Sequence, residues 1–417
     1  MTTVFRTTAA ALLAVAAIGV AACGDDDDDD GGGGGANTGA STTAETGGGE
    51  TRGSGTLADV TGLGPETGEP REAAMAAGKE AAEAAGGEVD LPPDKTIGFR
   101  NIVGGIESAD RVVNATEAAL KLVGYKMVLC DGQGDPRKWV TCGNSLLNQG
   151  VDGIITTGVD PPAVAEPLRK AKAEGIPWIS VAGETLPGYD GTYGPDDRHT
   201  GDVLSEYLIE QMNSVGGDVD IAVHDFPIPS IAVRTEELKR QLKDHPNIKI
   251  AAETTSDAAN LIEGTRKTVT DQLTADPNLK GFWFAFDTAG QAGAQAVAAR
   301  FAGKEFPERP LVTTFHADPA TQELIRGGQI DAVADVAYDI GSWVGVDQML
   351  EFFARDKKPD QNPRPEYPGV GDLYTTVIVT KDNLPPEGEY VAAETDVPSF
   401  FESKWETEFG TSGGGAK

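Results

Sequence analysis

The sequence predicts an α/β protein built as two doubly wound parallel-sheet lobes, joined by a hinge and facing each other across a ligand cleft. Three observations predict it. Beyond residue 95, nine short apolar runs alternate with stretches of helical periodicity, an order that requires parallel sheets with right-handed crossovers. The first helical stretches each stop at a glycine, Gly124, Gly150 and Gly175, as helices commonly do. Nine strand-and-helix units also exceed one comfortable open sheet, so the chain divides between two lobes.

The elements follow in order. At the N-terminus Arg6 precedes an apolar stretch, residues 9–20, which ends in the small residues Ala21 and Ala22. This has the layout of an export signal and is too short to span a bilayer comfortably. Its end, Val20-Ala21-Ala22-Cys23-Gly24, resembles the lipobox of bacterial lipoproteins. Residues 1–22 are therefore expected to be a signal peptide, with Cys23 lipidated and anchoring the protein to the outer face of the plasma membrane. Residues 23–94 read as a tether and stalk: six aspartates, five glycines, then Thr, Ser, Gly and Glu with little that can pack. The alanine-rich part of it, residues 71–85, suits a helix with no core face to bury.

Strands are expected at 96–100, 125–130, 153–157, 178–181, 219–224, 248–253, 281–286, 311–315 and 332–336. Helices are expected at 108–122, 136–148, 162–174, 200–212, 231–242, 263–273, 289–302, 319–326 and 339–354. Residues 375–379 supply a last strand, and Val397–Phe409, rich in Phe, Trp and Glu, forms a final amphipathic helix. The lobes are assigned as 95–197 plus 336–371 and 198–335 plus 372–410. In open parallel sheets ligands bind at the carboxyl ends of the strands, so the cleft between the lobes is the expected site.

Composition narrows the function. The chain carries 66 acidic against 34 basic side chains, a formal charge of −32. Such a surface repels nucleic-acid backbones and anionic lipid headgroups. Neither a phosphate-binding Gly-x-x-x-x-Gly-Lys loop nor a His-Glu-x-x-His helix occurs, and the four histidines, His199, His224, His245 and His316, lack metal-ligand spacing. No catalysis, metal or cofactor is expected. Beyond Cys23 only Cys130 and Cys142 remain. In an oxidising compartment they are expected to form a disulfide closing residues 131–141; reduced core thiols or a metal or redox pair are the alternatives.

Several segments carry a family resemblance: Ile97-Gly98-Phe99, Leu122-Val123-Gly124-Tyr125, Gly150-Val151-Asp152-Gly153-Ile154-Ile155 and Gly175-Ile176-Pro177-Trp178-Ile179. Asp197 followed by Gly201, Arg234 at a helix start, and Phe284 to Asp287 complete the set. In this order, over roughly residues 95–379, they resemble the class I periplasmic binding protein family, in its ribose-type sugar branch. The resemblance implies a ligand-binding receptor of an ABC importer that closes on a small polar solute, most simply a sugar or polyol. A membrane permease would be its partner, and the receptor itself a monomer.

Residue by residue, Arg234 matches the family's pocket arginine. Asp287 matches the aspartate of an Asn-Asp pair in which Phe286 replaces the asparagine. His316 stands where the family usually has an aspartate, and Asp335 lies near its glutamine. Asn101, Asn260 and Glu184 are further candidate ligand contacts. The loop 100–107 lacks the family's paired phenylalanines, and 180–184 lacks its Asp-Arg pair. Trp139, Phe226, Phe286 or Tyr338 would have to supply the stacking surface. Glu184, Asp287 and Asp335 would make the site rich in carboxylates, suited to a polyol or a cation, with Arg234 and His316 moderating the charge. The alternative function is a receptor that senses a sugar-like autoinducer or nutrient and reports to a membrane signalling partner. A lactose-repressor-type transcription factor is excluded by the export signal and the missing basic helix-turn-helix.

Overall fold

The computed structural model describes residues 69–183, 187–337, 339–391 and 395–411; the expected signal peptide, Cys23, the tether up to residue 68, Glu184 and Tyr338 lie outside the described residues. The described chain begins with helix α1 (Glu69–Ala85). Strands β1 (Thr96–Asn101), β2 (Lys126–Asp131), β3 (Gly153–Thr157), β4 (Trp178–Val181) and β5 (Gly191–Tyr193) then form a parallel sheet in the order β2-β1-β3-β4-β5. Its crossovers are α2 (Glu107–Leu122), α3 (Pro136–Asn148) and α4 (Ala165–Glu174). Gly124, Gly150 and Gly175, the expected helix stops, all have left-handed backbones. The start of α3 is fixed by Asp135, whose carboxylate accepts from the Arg137 N–H, and by Pro136 in the first turn.

Helix α5 (Asp197–Val215) carries the chain to a second sheet. There β6 (Val219–Asp225), α6 (Pro229–Gln241), β7 (Ile248–Thr255), α7 (Leu261–Ala275), β8 (Gly281–Phe284), α8 (Asp287–Arg300), β9 (Leu311–Phe315), α9 (Pro319–Arg326) and β10 (Ala332–Asp335) follow. The order β7-β6-β8-β9-β10 repeats the winding of the first sheet, and β11 (Val377–Val379) adds an antiparallel edge beside β10. Between β10 and β11 the chain returns to the first lobe as α10 (Ile340–Arg355), which packs on α2, β4 and β5.

Each sheet is covered on both faces. On β8, Phe282 and Phe284 enter one core with Val269 and Ala289, while Trp283 between them enters the opposite core with Leu204, Leu208 and Phe315. Cys130 at the end of β2 is bonded to Cys142 on α3, with Cα atoms 5.6 Å apart. The sheet edge and its crossover helix are thus joined, as expected.

Two expectations are corrected at the chain ends. Helix α1 is no free stalk: Ala74, Ala77, Ala81 and Ala82 are buried. They pack against α11 (Val397–Phe409), and a Cβ at Gly78 would collide with the Phe400 carbonyl. A stripe of alanine around one glycine does have a core face, because its small side chains let another helix backbone come close. Arg71 adds hydrogen bonds to Ser399 at 2.7 Å and Glu402 at 3.1 Å. Helix α11, assigned from sequence to the second lobe within 372–410, joins the first instead. Its Phe400, Phe401 and Trp405 share a core with Trp343 of α10, and its buried Lys404 pairs with Asp347 at 2.7 Å.

Candidate functional site

The carboxyl ends of the two sheets face one another across a cleft of about 380 Å³. Almost every wall residue directly follows a strand or opens a helix. From the first lobe come Ile102 and Val103 after β1, Trp139 on α3, Thr157 and Gly158 at the end of β3, Ala182 and Gly183 after β4, and Ile106, Ser108 and Val112 of α2 and its entry. From the second come Phe226, Pro227 and Ile228 after β6, Ile231 and Arg234 of α6, Leu261 at the start of α7, Phe286 after β8 and His316 after β9. Asp197 opens α5 at the crossing between the lobes.

Most of this wall is apolar. Phe226 and Phe286 stack with centroids 4.5 Å apart, and Trp139 donates its indole N–H to the Ile102 carbonyl at 3.0 Å. Its charged part is one compact group. Arg234 is buried and donates from Nε to Asp197 at 2.8 Å, again from Nη2 to the same carboxylate, and from Nη1 to the Ala285 carbonyl at 3.1 Å. Its guanidinium lies 4.4 Å from the centroid of the Phe315 ring. Gly201 makes the pairing possible: a side chain there would strike the Arg234 backbone and separate α5 from α6.

His316 has a left-handed backbone, φ 62°, which turns its ring toward Arg234, with Nε2 3.3 Å from Nη2. An arginine only donates, so Nε2 accepts and the ring proton sits on Nδ1. Burial, then the charges of Arg234 and Arg111, hold the imidazole well below its usual pKa, so it is neutral.

The other sequence candidates divide. Asp287, the first residue of α8, is buried; burial raises its pKa, and Ser108 and Thr288 hydrogen-bond to it. It faces an adjoining compartment of about 540 Å³, shared with Asn260, Glu107 and Gln291, rather than the main cleft. Asn260 is exposed at that compartment's rim. Asn101 and Asp335 do not line the cleft and are corrected to turn-fixing roles. Asn101 donates to the Val103 carbonyl at 2.9 Å and accepts from Thr157; Asp335 accepts from the Ala317 N–H at 2.9 Å and holds the turn that presents His316. Glu184 and Tyr338 fall outside the described residues.

The sequence reading missed one set of residues entirely. Glu107, Ser108 and Arg111 on the first turns of α2 reach across to the second lobe. The Glu107 carboxylate accepts from the Ala320 N–H at 3.1 Å, and Ser108 bonds Asp287. Arg111 is buried beside Asp339 at 2.8 Å and Asp318 at 3.6 Å, with its guanidinium 4.3 Å from the Tyr390 ring centroid. No local signal marks them, because their partners are distant in sequence, Ala320 lying 213 residues from Glu107.

Known proteins fit this geometry. Residues 97–351 match the family model described as a periplasmic binding protein domain. A xylitol-binding protein of Mycolicibacterium smegmatis is 29% identical over 27% of this chain and 32% of its own length. The D-allose-binding periplasmic protein of Escherichia coli is 24% identical over 58% of this chain and 79% of its own. A solute-binding protein of an ABC transporter from Burkholderia graminis, solved with D-arabinose, superposes with a TM-score of 0.61 at 20% identity, covering 70% of this chain and 96% of that one. Among the described residues no helix is long and apolar enough to cross a membrane. With its family match spanning more than half of the chain and both sheets wound as that fold requires, this chain belongs to the periplasmic binding protein domain family.

Proposed function

We propose that the chain is the extracytoplasmic solute receptor of an ABC importer, capturing a small polar solute of the sugar or polyol class by closure of its two lobes. The observation that carries the reading is the cleft itself: the strand ends of two like-wound sheets meet around one buried, ion-paired arginine, Arg234. A binding protein needs nothing more, and relatives named for xylitol, D-allose and ribose import support the solute class. In this reading contacts that form only when the lobes meet select the closed state, and a permease in the membrane recognises that state. The receptor is a monomer, performs no chemistry, and is tethered by lipid on Cys23, with the acidic segment behind it as spacer.

The test is a thermal-shift screen of sugars, polyols, amino acids and polyamines. A ligand at 100 times its Kd stabilises the native state by about 2.7 kcal/mol. A saturable rise in Tm with a sugar or polyol supports the reading. A response confined to amino acids or polyamines overturns the solute class. Metabolic labelling with palmitate, lost in Cys23→Ser, checks the anchor separately.

A further inference from the structure

We infer that the solute held by this cleft is amphipathic, a carbohydrate head joined to an apolar aglycone of the aryl-glycoside kind, and not a free sugar. The inference rests on the receptor reading and narrows its substrate class. Two adjoining compartments of unequal polarity argue for it. The main one, about 380 Å³, is walled from both lobes by side chains such as Ile102, Ile106, Trp139, Ile231 and the stacked pair Phe226 and Phe286. Its volume lies within the range of small-molecule sites, about 300–1,000 Å³.

The polar side chains of that compartment already serve one another. Arg234 spends both edges of its guanidinium on Asp197, the Ala285 carbonyl and His316. Thr157 bonds Asn101, and the Trp139 N–H bonds the Ile102 carbonyl. A ring bearing hydroxyls on every carbon, seated here, would leave several of them without partners, each lowering affinity by about tenfold. A carboxylate head gains little either, because Asp197 already neutralises Arg234. An aromatic or alkyl group has no such cost and removes apolar surface from water.

Next to it the second compartment, about 540 Å³, is more polar, with Glu107, Asp287, Thr288 and Gln291 set among Ile106, Ala258, Leu261 and Ile262. The Glu107 and Asp287 carboxylates, the Gln291 amide and the Thr288 hydroxyl face it. These groups are already bonded in part, Glu107 accepting from the Ala320 N–H, Asp287 from Ser108 and Thr288, and Gln291 donating to Thr321. A carboxylate has about four acceptor positions, however, so Glu107 keeps several free for hydroxyls. Ile106, Ala258 and Leu261 border both compartments, so one ligand can lie across the boundary with its hydroxylated head among the carboxylates and its aglycone between the phenylalanines.

The test is isothermal titration of the full chain with a panel of pentoses and hexoses, each paired with its phenyl β-glycoside. At least one glycoside should bind about tenfold or more tighter than its parent sugar, the gain expected for burying a phenyl group. Phe286→Ala should weaken the glycoside about tenfold more than the parent. Ile231→Ala, which leaves the phenylalanine stack intact, should act in the same direction. A parent sugar that binds as tightly as its glycoside throughout the panel overturns the inference and leaves the receptor reading standing. No binding by any sugar or glycoside overturns the inference, and the receptor reading falls with it when the polyols of the thermal-shift screen also leave Tm unchanged.

Discussion

Asp197 and Arg234 are 7% and 4% exposed, deep enough that either charge alone is strongly disfavoured. Burial pushes the Asp197 pKa up and Arg234 pulls it back, so the pair is a balance of desolvation and attraction. Removing one partner should therefore cost far more than removing both. Asp197→Ala is expected to lower unfolding stability by about 3–5 kcal/mol, while the double variant Asp197→Leu, Arg234→Met should recover most of that loss. Urea denaturation of the three proteins checks this, and equal losses in single and double variants would show that the ion pair is solvated. At this scale the sequence was readable where a residue directly follows a strand, as Phe286 and His316 do. It was less readable in role: Asn101 and Asp335 also stand at strand ends, yet Asn101 bonds the backbone of its own turn and Asp335 that of the neighbouring one. An amide or carboxylate at a strand end can face a ligand or a loop, and composition does not tell which. Glu107 was beyond reach, since its partner Ala320 is 213 residues away in sequence.

Among the described residues, the first turns of helix α2 carry side chains from the first lobe to the second. Glu107, Ser108 and Arg111 share one face, because residues three and four apart are helix neighbours. Closure thus adds one charge-assisted hydrogen bond, one hydroxyl–carboxylate bond and the approach of Arg111 to Asp318. Glu107→Ala removes the first of these without leaving a buried charge unpaired. The expected outcome is a shift of the lobe equilibrium toward the open form by about 1–2 kcal/mol, seen as a larger radius of gyration in small-angle scattering and a weaker apparent affinity. An unchanged radius with unchanged affinity would mean that Glu107 contributes nothing to closure. The opposite lesson comes from α1. Its alanines promise no core because alanine carries little apolar area, and their burial became possible only through α11, more than 300 residues later in the chain.

Across the whole molecule, acidic groups set how stability depends on pH. The fold was legible at this scale because strand and helix periods are local, whereas the placement of charge is not. Burial raises the pKa of Asp287, Asp318 and Asp335, and of Asp339 to about 6. Glu408 on α11, packed against Lys404 and against Glu351 of α10, is pushed up to about 7, while against the effect of burial its hydrogen bond to Glu351, and then the Lys404 charge, hold Glu351 below its usual value. For a carboxylate with a raised folded pKa, the native state binds the proton more tightly than the unfolded chain does. Stability from such a group is fully present below the unfolded value near 4.5 and is lost as pH rises through the folded value. Glu351 acts in the other sense, but only as pH falls below about 4.5. The net charge of −32 adds self-repulsion that also grows with pH. The protein should therefore melt highest near pH 5 and lose Tm steadily to pH 7.5. Glu408 alone accounts for at most on the order of 3 kcal/mol of that loss. Glu408→Gln keeps the side chain's shape and one of the two oxygens that accept from Lys404 and Arg355, and it cannot ionise, so its Tm should fall less over the same interval. Calorimetry at half-unit steps from pH 4.5 to 8 distinguishes the outcomes. A wild-type Tm that is flat or rising from pH 5 to 7.5 would mean that water reaches these carboxylates and that the buried cluster around Glu408 does not govern stability above pH 5.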